Sequence, residues 1–318
     1  MNIWNLKHGD KEFNLDIGDS TILVDQSVIW YELVRLIDDY FNNRHTEVQL
    51  EEGTTAIQKK DWNCYLIPYD AHLQMDKVTA KSPLNTIINA CVEKLSMSPI
   101  FFELKDVWSE LQEEVYFVNE SLSQYDVVAT VEDIEEKDLK SFISLRSKKS
   151  IMTPIEYKLL LLRLINEKSM SKRTLIILEM PELFADKENM ENLVKTVNEM
   201  VNKGVRFIIV TSNTSMNGRK NYCIENQIFN EVSIELVKRK VLMDAPFGLE
   251  ETDFDETKKK IFESVDNSLE KGNFRGNYIQ NPDLHRVLKY MVFRNLNISQ
   301  PIDTDGLPEN IVEFIHDY

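Results

Sequence analysis

The chain has 318 residues, 42% of them hydrophobic and 28% charged, enough apolar side chain for a large core and the composition of a soluble globular protein of two or three structural units. A formal net charge of −16 argues against indiscriminate coating of nucleic acid or of an anionic membrane, while leaving room for a local basic site. Cys64, Cys91 and Cys223 are odd in number and far apart, with no CxxC, so neither a disulfide framework nor a zinc ribbon is expected.

The N-terminal MNIWNLKHGDKEF lacks the apolar core of a signal peptide, and the most apolar helix, 157–165, is interrupted by Lys158 and Arg163. A reducing, cytoplasmic location with no membrane anchor is the expectation. Phe13, Leu15 and Ile17 then alternate with polar residues and 21–24 is an apolar run, which predicts a β-hairpin around Gly18-Asp19. A helix follows from near Ser27, with Val28, Tyr31, Leu33, Val34, Ile37 and Tyr40 at helical spacing. Strand, tight loop and helix are the setting of a phosphate-binding P-loop, yet the loop reads Asp25-Gln26-Ser27 and no GxxxxGK[ST] occurs in the chain. An acid at that mouth repels phosphate.

Short strands are expected at 47–50 and 64–67. From Leu84 to Ile165 the apolar positions run at helical spacing, which predicts a helical insertion whose two longest helices pair antiparallel and project from the sheet. The stretch from Thr174 to Thr211 predicts a βαβ unit: continuously apolar LIIL and FIIV strands, an amphipathic helix with Leu193, Val197 and Met200 on one face, and Gly204 to stop it. Residues 222–224 and 232–236 are expected as edge strands and 243–253 as a linker. Three helices then close the chain: one carrying Phe254 and Ile261, one opened by Pro282, and a short one after Pro308.

The run TLIILEMPE looks like the Walker B segment of RecA-like and ABC-type ATPases, with Glu179 in the magnesium-holding place and Glu182 beyond it. The place of the water-positioning Glu holds Met180 and no P-loop brings phosphate, so the segment reads first as a buried strand with a capping acid. The five histidines show no HExxH or paired spacing, and no Ser or Cys sits in a GxSxG elbow. Two charge clusters remain. Glu132, Asp133, Glu135, Glu136 and Asp138, preceded by Glu120 and Asp126, form an all-oxygen set that suits calcium or else a solvated acidic face. Lys137, Lys140, Arg146, Lys148 and Lys149 set five basic residues against the single acid Asp138, conspicuous in so acidic a chain.

The order IGDSTILVDQSVIWYELVRLI, VEDIEEKD, TLIILEMPELF and VRFIIVTSN over about residues 1–240 resembles one family, the type II-A CRISPR-associated proteins of spacer acquisition that form DNA-encircling rings. The resemblance implies an α/β fold: a degenerate P-loop, RecA/ABC-like head (1–82 and 173–240), a long inserted helical leg (83–172) and a C-terminal helical extension (241–318). It implies a homotetramer that binds double-stranded DNA ends without sequence specificity and without catalysis, DNA contacts at Lys137, Lys140, Arg146, Lys148 and Lys149, and calcium at Glu120, Glu132, Asp133 and Glu136. The implied partners are the CRISPR integrase complex and the RNA-guided effector nuclease. Two rival readings stay open: an ATP-driven ABC or RecA-type enzyme, favoured by Glu179-Met180-Pro181-Glu182, and a protein-interaction scaffold without nucleic acid, favoured by the net charge.

Overall fold

The computed structural model describes residues 2–74, 82–149, 152–167, 172–213, 216–246, 248–269 and 282–318. The chain divides into two compact units, Met1–Tyr69 with Met170–Tyr318, and Asp70–Ser169. The junctions of the predicted leg with the head, 75–81 and 168–171, lie outside the described residues.

The first unit starts with β1 (Ile3–His8), β2 (Lys11–Asp16), β3 (Ser20–Val24), α1 (Val28–Asn42), β4 (Gln49–Glu52), β5 (Thr55–Ala56) and β6 (Trp62–Ile67). The predicted hairpin of 13–17 with 21–24 does not form. Strand β2 pairs instead with β1, His8 opposite Lys11, across a two-residue turn in which Gly9 takes a φ of 58°. Strand β3 goes to a different sheet. The antiparallel sheet has the order β2-β1-β4-β5.

The second unit holds α2 (Asn85–Ser96), α3 (Pro99–Leu122), α4 (Glu136–Phe142) and α5 (Pro154–Glu167). Helix α3 is not held by a second long helix but by the extended segment that returns along it. Trp108 Nε1 donates to the carbonyl of Glu132 at 2.9 Å, Gln112 Nε2 to that of Val131 at 3.0 Å, and Asn119 exchanges two hydrogen bonds with the backbone of Ala129. Polar side chains at i, i+4 and i+11 of one helical face thus take the place of the apolar seam that antiparallel helices would need.

The chain re-enters the first unit as β7 (Arg173–Glu179), α6 (Lys187–Val201), β8 (Arg206–Thr211), β9 (Arg219–Ile224), β10 (Gln227–Asn230), α7 (Glu231–Asp244), α8 (Glu251–Leu269), α9 (Pro282–Asn295) and α10 (Glu309–Asp317). The larger sheet has the order β10-β9-β3-β8-β7-β6, all parallel except β10. Strands β7 and β8 are central, which explains their unbroken apolar runs, and Gly204 takes a φ of 87° behind α6. The predicted strand 232–236 is instead the start of α7. The Asn230 side chain caps the Ser233 N–H at 2.9 Å while Ser233 Oγ accepts from the Asn230 N–H at 2.8 Å, a reciprocal box that overrides the β-branched run.

The core lies between the two sheets around α1. Trp30, Leu33, Val34 and Ile37 meet Trp4, Leu6 and Leu15 of the antiparallel sheet and Leu175, Ile177 and Ile208 of the parallel one. A buried polar seam also ties β2 to the parallel sheet: Asn221 accepts from the Asp16 N–H at 2.9 Å, donates to its carbonyl at 3.0 Å, and accepts from Asn230. The C-terminal helices pack within this same unit, with Phe229 stacked on Phe262 and edge-on to Phe293, and Lys220 and Tyr222 both bonded to Asp266.

Candidate functional site

In an open α/β sheet, ligands bind beyond the carboxyl ends of the parallel strands, so the loops after β3, β6, β7 and β8 define the first candidate site. After β3 the chain turns at Asp25, whose φ is 71°, and its N–H bonds the carbonyl of Thr211 at the end of β8. Ser27 caps α1 by accepting from the Ile29 N–H at 3.2 Å. No ring of glycine N–H groups opens here to receive phosphate.

Glu179, in the Walker-B-like place, is closed off. Its side chain is 5% exposed and both carboxylate oxygens meet the guanidinium of Arg35 on α1, Oε2 at 3.1 Å from Nη2 and Oε1 on Nη1. Arg35 also lies 3.6 Å from the centroid of the Tyr31 ring. Burial works to lower the pKa of Arg35, but the hydrogen bond and charge of Glu179 together hold it above its ordinary value. Sequence reading missed this residue. The available signal was that Arg35 is the single cation on an otherwise apolar and acidic helix.

The next residue, Met180, sits at a φ of 43°, a conformation that costs an unbranched side chain roughly 1–2 kcal/mol. Glu182 is engaged by the end of β8. It accepts from Thr211 Oγ1 at 2.9 Å and from the Ser212 N–H at 2.7 Å, and Ser212 Oγ in turn donates to Asp25 at 3.2 Å. Beside these groups is a pocket of about 450 Å³. Gln26, Ser27, Val28 and Tyr31 line it from the β3–α1 side, Tyr69 from beyond β6, and Met180, Leu183 and Val210 from β7 and β8.

The second candidate site is the charged stretch of the helical unit. Of the basic residues, Lys137 pairs with Glu135 at 2.7 Å and Lys149 with Glu156 at 2.5 Å. The Lys149 ammonium, helped by the Thr153 N–H, holds the Glu156 carboxyl below the usual range. Lys140, Arg146 and Lys148 are exposed, and no ion pair engages them among the described residues. The four carboxylates expected as calcium ligands do not converge. Glu120 lies in the last turn of α3, Glu132 and Asp133 in the return segment, and Glu136 in the first turn of α4. The Asp133 carboxylate accepts from Gln112 at 2.9 Å, and Asp138 caps the N–H of Glu135 at 2.7 Å. Among the described residues no group of three or more His, Cys, Asp or Glu is placed to hold a metal ion. Nor is any described helix long and apolar enough to cross a membrane.

No family model matches the chain, and no curated protein matches it. Among solved structures, Stu0660 of Streptococcus thermophilus matches over 99% of this chain and 100% of its own, with a TM-score of 0.53 at 14% identity. This chain shares the fold of Stu0660. ABC-type ATP-binding subunits are more distant neighbours. MJ1267, an ATP-binding cassette of an ABC transporter, covers 72% of this chain and 90% of its own at a TM-score of 0.37 and 14% identity. For cbiO1 from Clostridium perfringens the figures are 77%, 96%, 0.34 and 13%.

Proposed function

We propose that the protein is a non-catalytic, ring-forming component of CRISPR spacer acquisition that holds double-stranded DNA ends without reading their sequence. The observation that carries the non-catalytic part is the Glu179–Arg35 pair: the acid in the Walker-B-like place is buried and neutralised by the protein itself, beside a β3–α1 loop without a phosphate cradle. The CRISPR part is supported by the fold shared with Stu0660, a CRISPR-associated protein, along the whole of both chains.

On this reading Lys140, Arg146 and Lys148 meet phosphates, with Lys137 and Lys149 joining as their acidic partners yield. A homotetrameric ring is the assembly proposed. Helix α3 supports it by leaving Ile100, Leu104, Val107 and Leu111 exposed along 24 residues, an apolar stripe that a monomer keeps wet. Calcium enters as a bridge between carboxylates of different copies, and the integrase complex and the RNA-guided effector nuclease are the proposed partners. The test is topological. A ring threads a linear duplex but not a covalently closed circle of the same sequence, so equal affinity for the two would refute the ring, as would the mass of one 37.2 kDa chain by light scattering at micromolar concentration with calcium present.

A further inference from the structure

Lys240 and Asp244 near the end of α7, Arg294 and Asn295 at the end of α9, and Tyr318 line a hollow of about 650 Å³, a volume within the range of small-molecule sites. Asn297 and Ser299 line it from the segment that follows α9. Its aliphatic residue, Ile298, is buried, so the hollow presents mainly polar groups.

Neighbouring cations find carboxylates: Lys238 pairs with Asp255 at 3.0 Å, Lys258 with Glu235 at 3.1 Å and Arg286 with Asp283 at 3.3 Å. Lys240 and Arg294 do not. Both are exposed, and no ion pair or hydrogen bond engages either side chain among the described residues. The acid best spaced for Lys240 is Asp244, one helical turn on. It accepts instead from the Tyr318 hydroxyl at 3.4 Å, itself the acceptor of Asn295 Nδ2 at 2.6 Å.

An Arg in the last turn of a helix ordinarily needs no ligand, because the free carbonyls there attract it. At the end of α9 those carbonyls are largely closed. The N–H groups of Leu296, Asn297 and Ile298 meet the carbonyls of Val292, Arg294 and Phe293 at 3.1, 3.2 and 2.8 Å, in a turn where Asn297 takes a φ of 58°. The groups on the hollow left without a partner among the described residues are Lys240 Nζ, the Arg294 guanidinium, the Asn297 amide and the Ser299 hydroxyl. All can donate, and two are charged. Asp244 keeps a carboxylate on the wall, so an anion must compensate by reaching both cations at once. A phosphate monoester, with about two charges and three acceptor oxygens, can do so.

We propose that this hollow binds a phosphate monoester, its charge met by Lys240 and Arg294 and its oxygens by Ser299 and Asn297. The proposal stands apart from the DNA reading, since it uses no residue of the basic stretch, and either can fail without the other.

The probe is inorganic phosphate, titrated against the full chain in phosphate-free buffer and followed by phosphorus NMR line broadening. The expected result is saturable binding with half-saturation at about a millimolar, and about tenfold weaker binding of dimethyl phosphate, which carries a single charge. Lys240→Gln and Arg294→Gln should each weaken phosphate about tenfold with an unchanged melting temperature, because both side chains are exposed, whereas Arg294→Lys should lose less. Lys60→Gln, an exposed lysine on another element, should change nothing. Two sources of the group are separated with a linear duplex carrying either 5′-phosphate or 5′-hydroxyl ends. A loss of duplex affinity in the Lys240→Gln, Arg294→Gln double variant that is confined to phosphorylated ends assigns the site to a nucleic-acid end. No loss with either duplex, while phosphate binding is lost, assigns it to a small phosphorylated molecule. Broadening that never saturates, that survives the double variant, or that Lys60→Gln weakens equally would each overturn the proposal.

Discussion

Glu179 at the end of β7 and Arg35 in the middle of α1 lie 144 positions apart in the chain and meet as a two-pronged ion pair at the carboxyl end of the parallel strands. Burying a carboxylate costs several kcal/mol unless a partner meets it, and the Arg35 guanidinium meets this one.

The two single truncations should therefore be far worse than the double. Arg35→Ala takes the guanidinium away from a buried acid and is expected to cost about 3–5 kcal/mol in urea denaturation, whereas Arg35→Met with Glu179→Met should stay close to neutral. Equal losses that simply add would mean that the two groups are not coupled.

Steady-state ATP hydrolysis should be absent, and Glu179→Gln should change nothing in such an assay, because the acid is already occupied by Arg35. Turnover that disappears in Glu179→Gln would establish the ABC-type reading instead.

The basic stretch should not behave uniformly in DNA binding. Each phosphate contact releases counterion, so Lys140→Ala or Lys148→Ala should lower the slope of log affinity against log salt by about one. Lys149→Ala should lower it by less, since its ammonium must first leave Glu156. If all five substitutions leave the slope unchanged, the DNA surface is elsewhere.

Calcium should raise the melting temperature of the wild type, and Glu132→Ala with Asp133→Ala should abolish that rise. Because no three carboxylates converge among the described residues of one chain, the rise should also grow with protein concentration, as a site shared between copies requires. A rise independent of concentration would place a complete site inside one subunit.

Asp39 gives the fold an acid-sensitive point. Hydrogen bonds from Thr46 and then Asn43 lower its pKa from 3.8. A depressed carboxyl contributes stability above its unfolded pKa and loses it as the pH falls through the folded value. Thr46→Val should thus be less stable than wild type at neutral pH, with the gap closing as the pH falls below the usual carboxylate range. A gap that persists to lower pH would assign the loss to packing.

Elements whose burial depends only on their own side-chain order could be read from residues alone. Strands β7 and β8 carry unbroken apolar runs because both faces are covered, α6 shows its stripe, Gly204 its stop, and Asp25-Gln26-Ser27 the missing cradle. Pairing was a different matter. The alternation of 13–17 says that a strand has one buried face but not which strand lies beside it, and two Gly-Asp turns compete. Gly9 has the positive φ and closes β1 on β2, while Gly18 leads across to a second sheet. Helix α7 was legible only through the Asn230 and Ser233 cap, a two-residue signal set against a β-branched one. The charged stretch could be seen as composition, but whether each charge is free depends on neighbours such as Glu135 and Glu156 that only folding places. The same holds for the site at the carboxyl ends of the parallel strands. Its acid stands in the sequence, but its neutralisation is decided by Arg35, brought from another element because a buried charge must find its counter-charge in space.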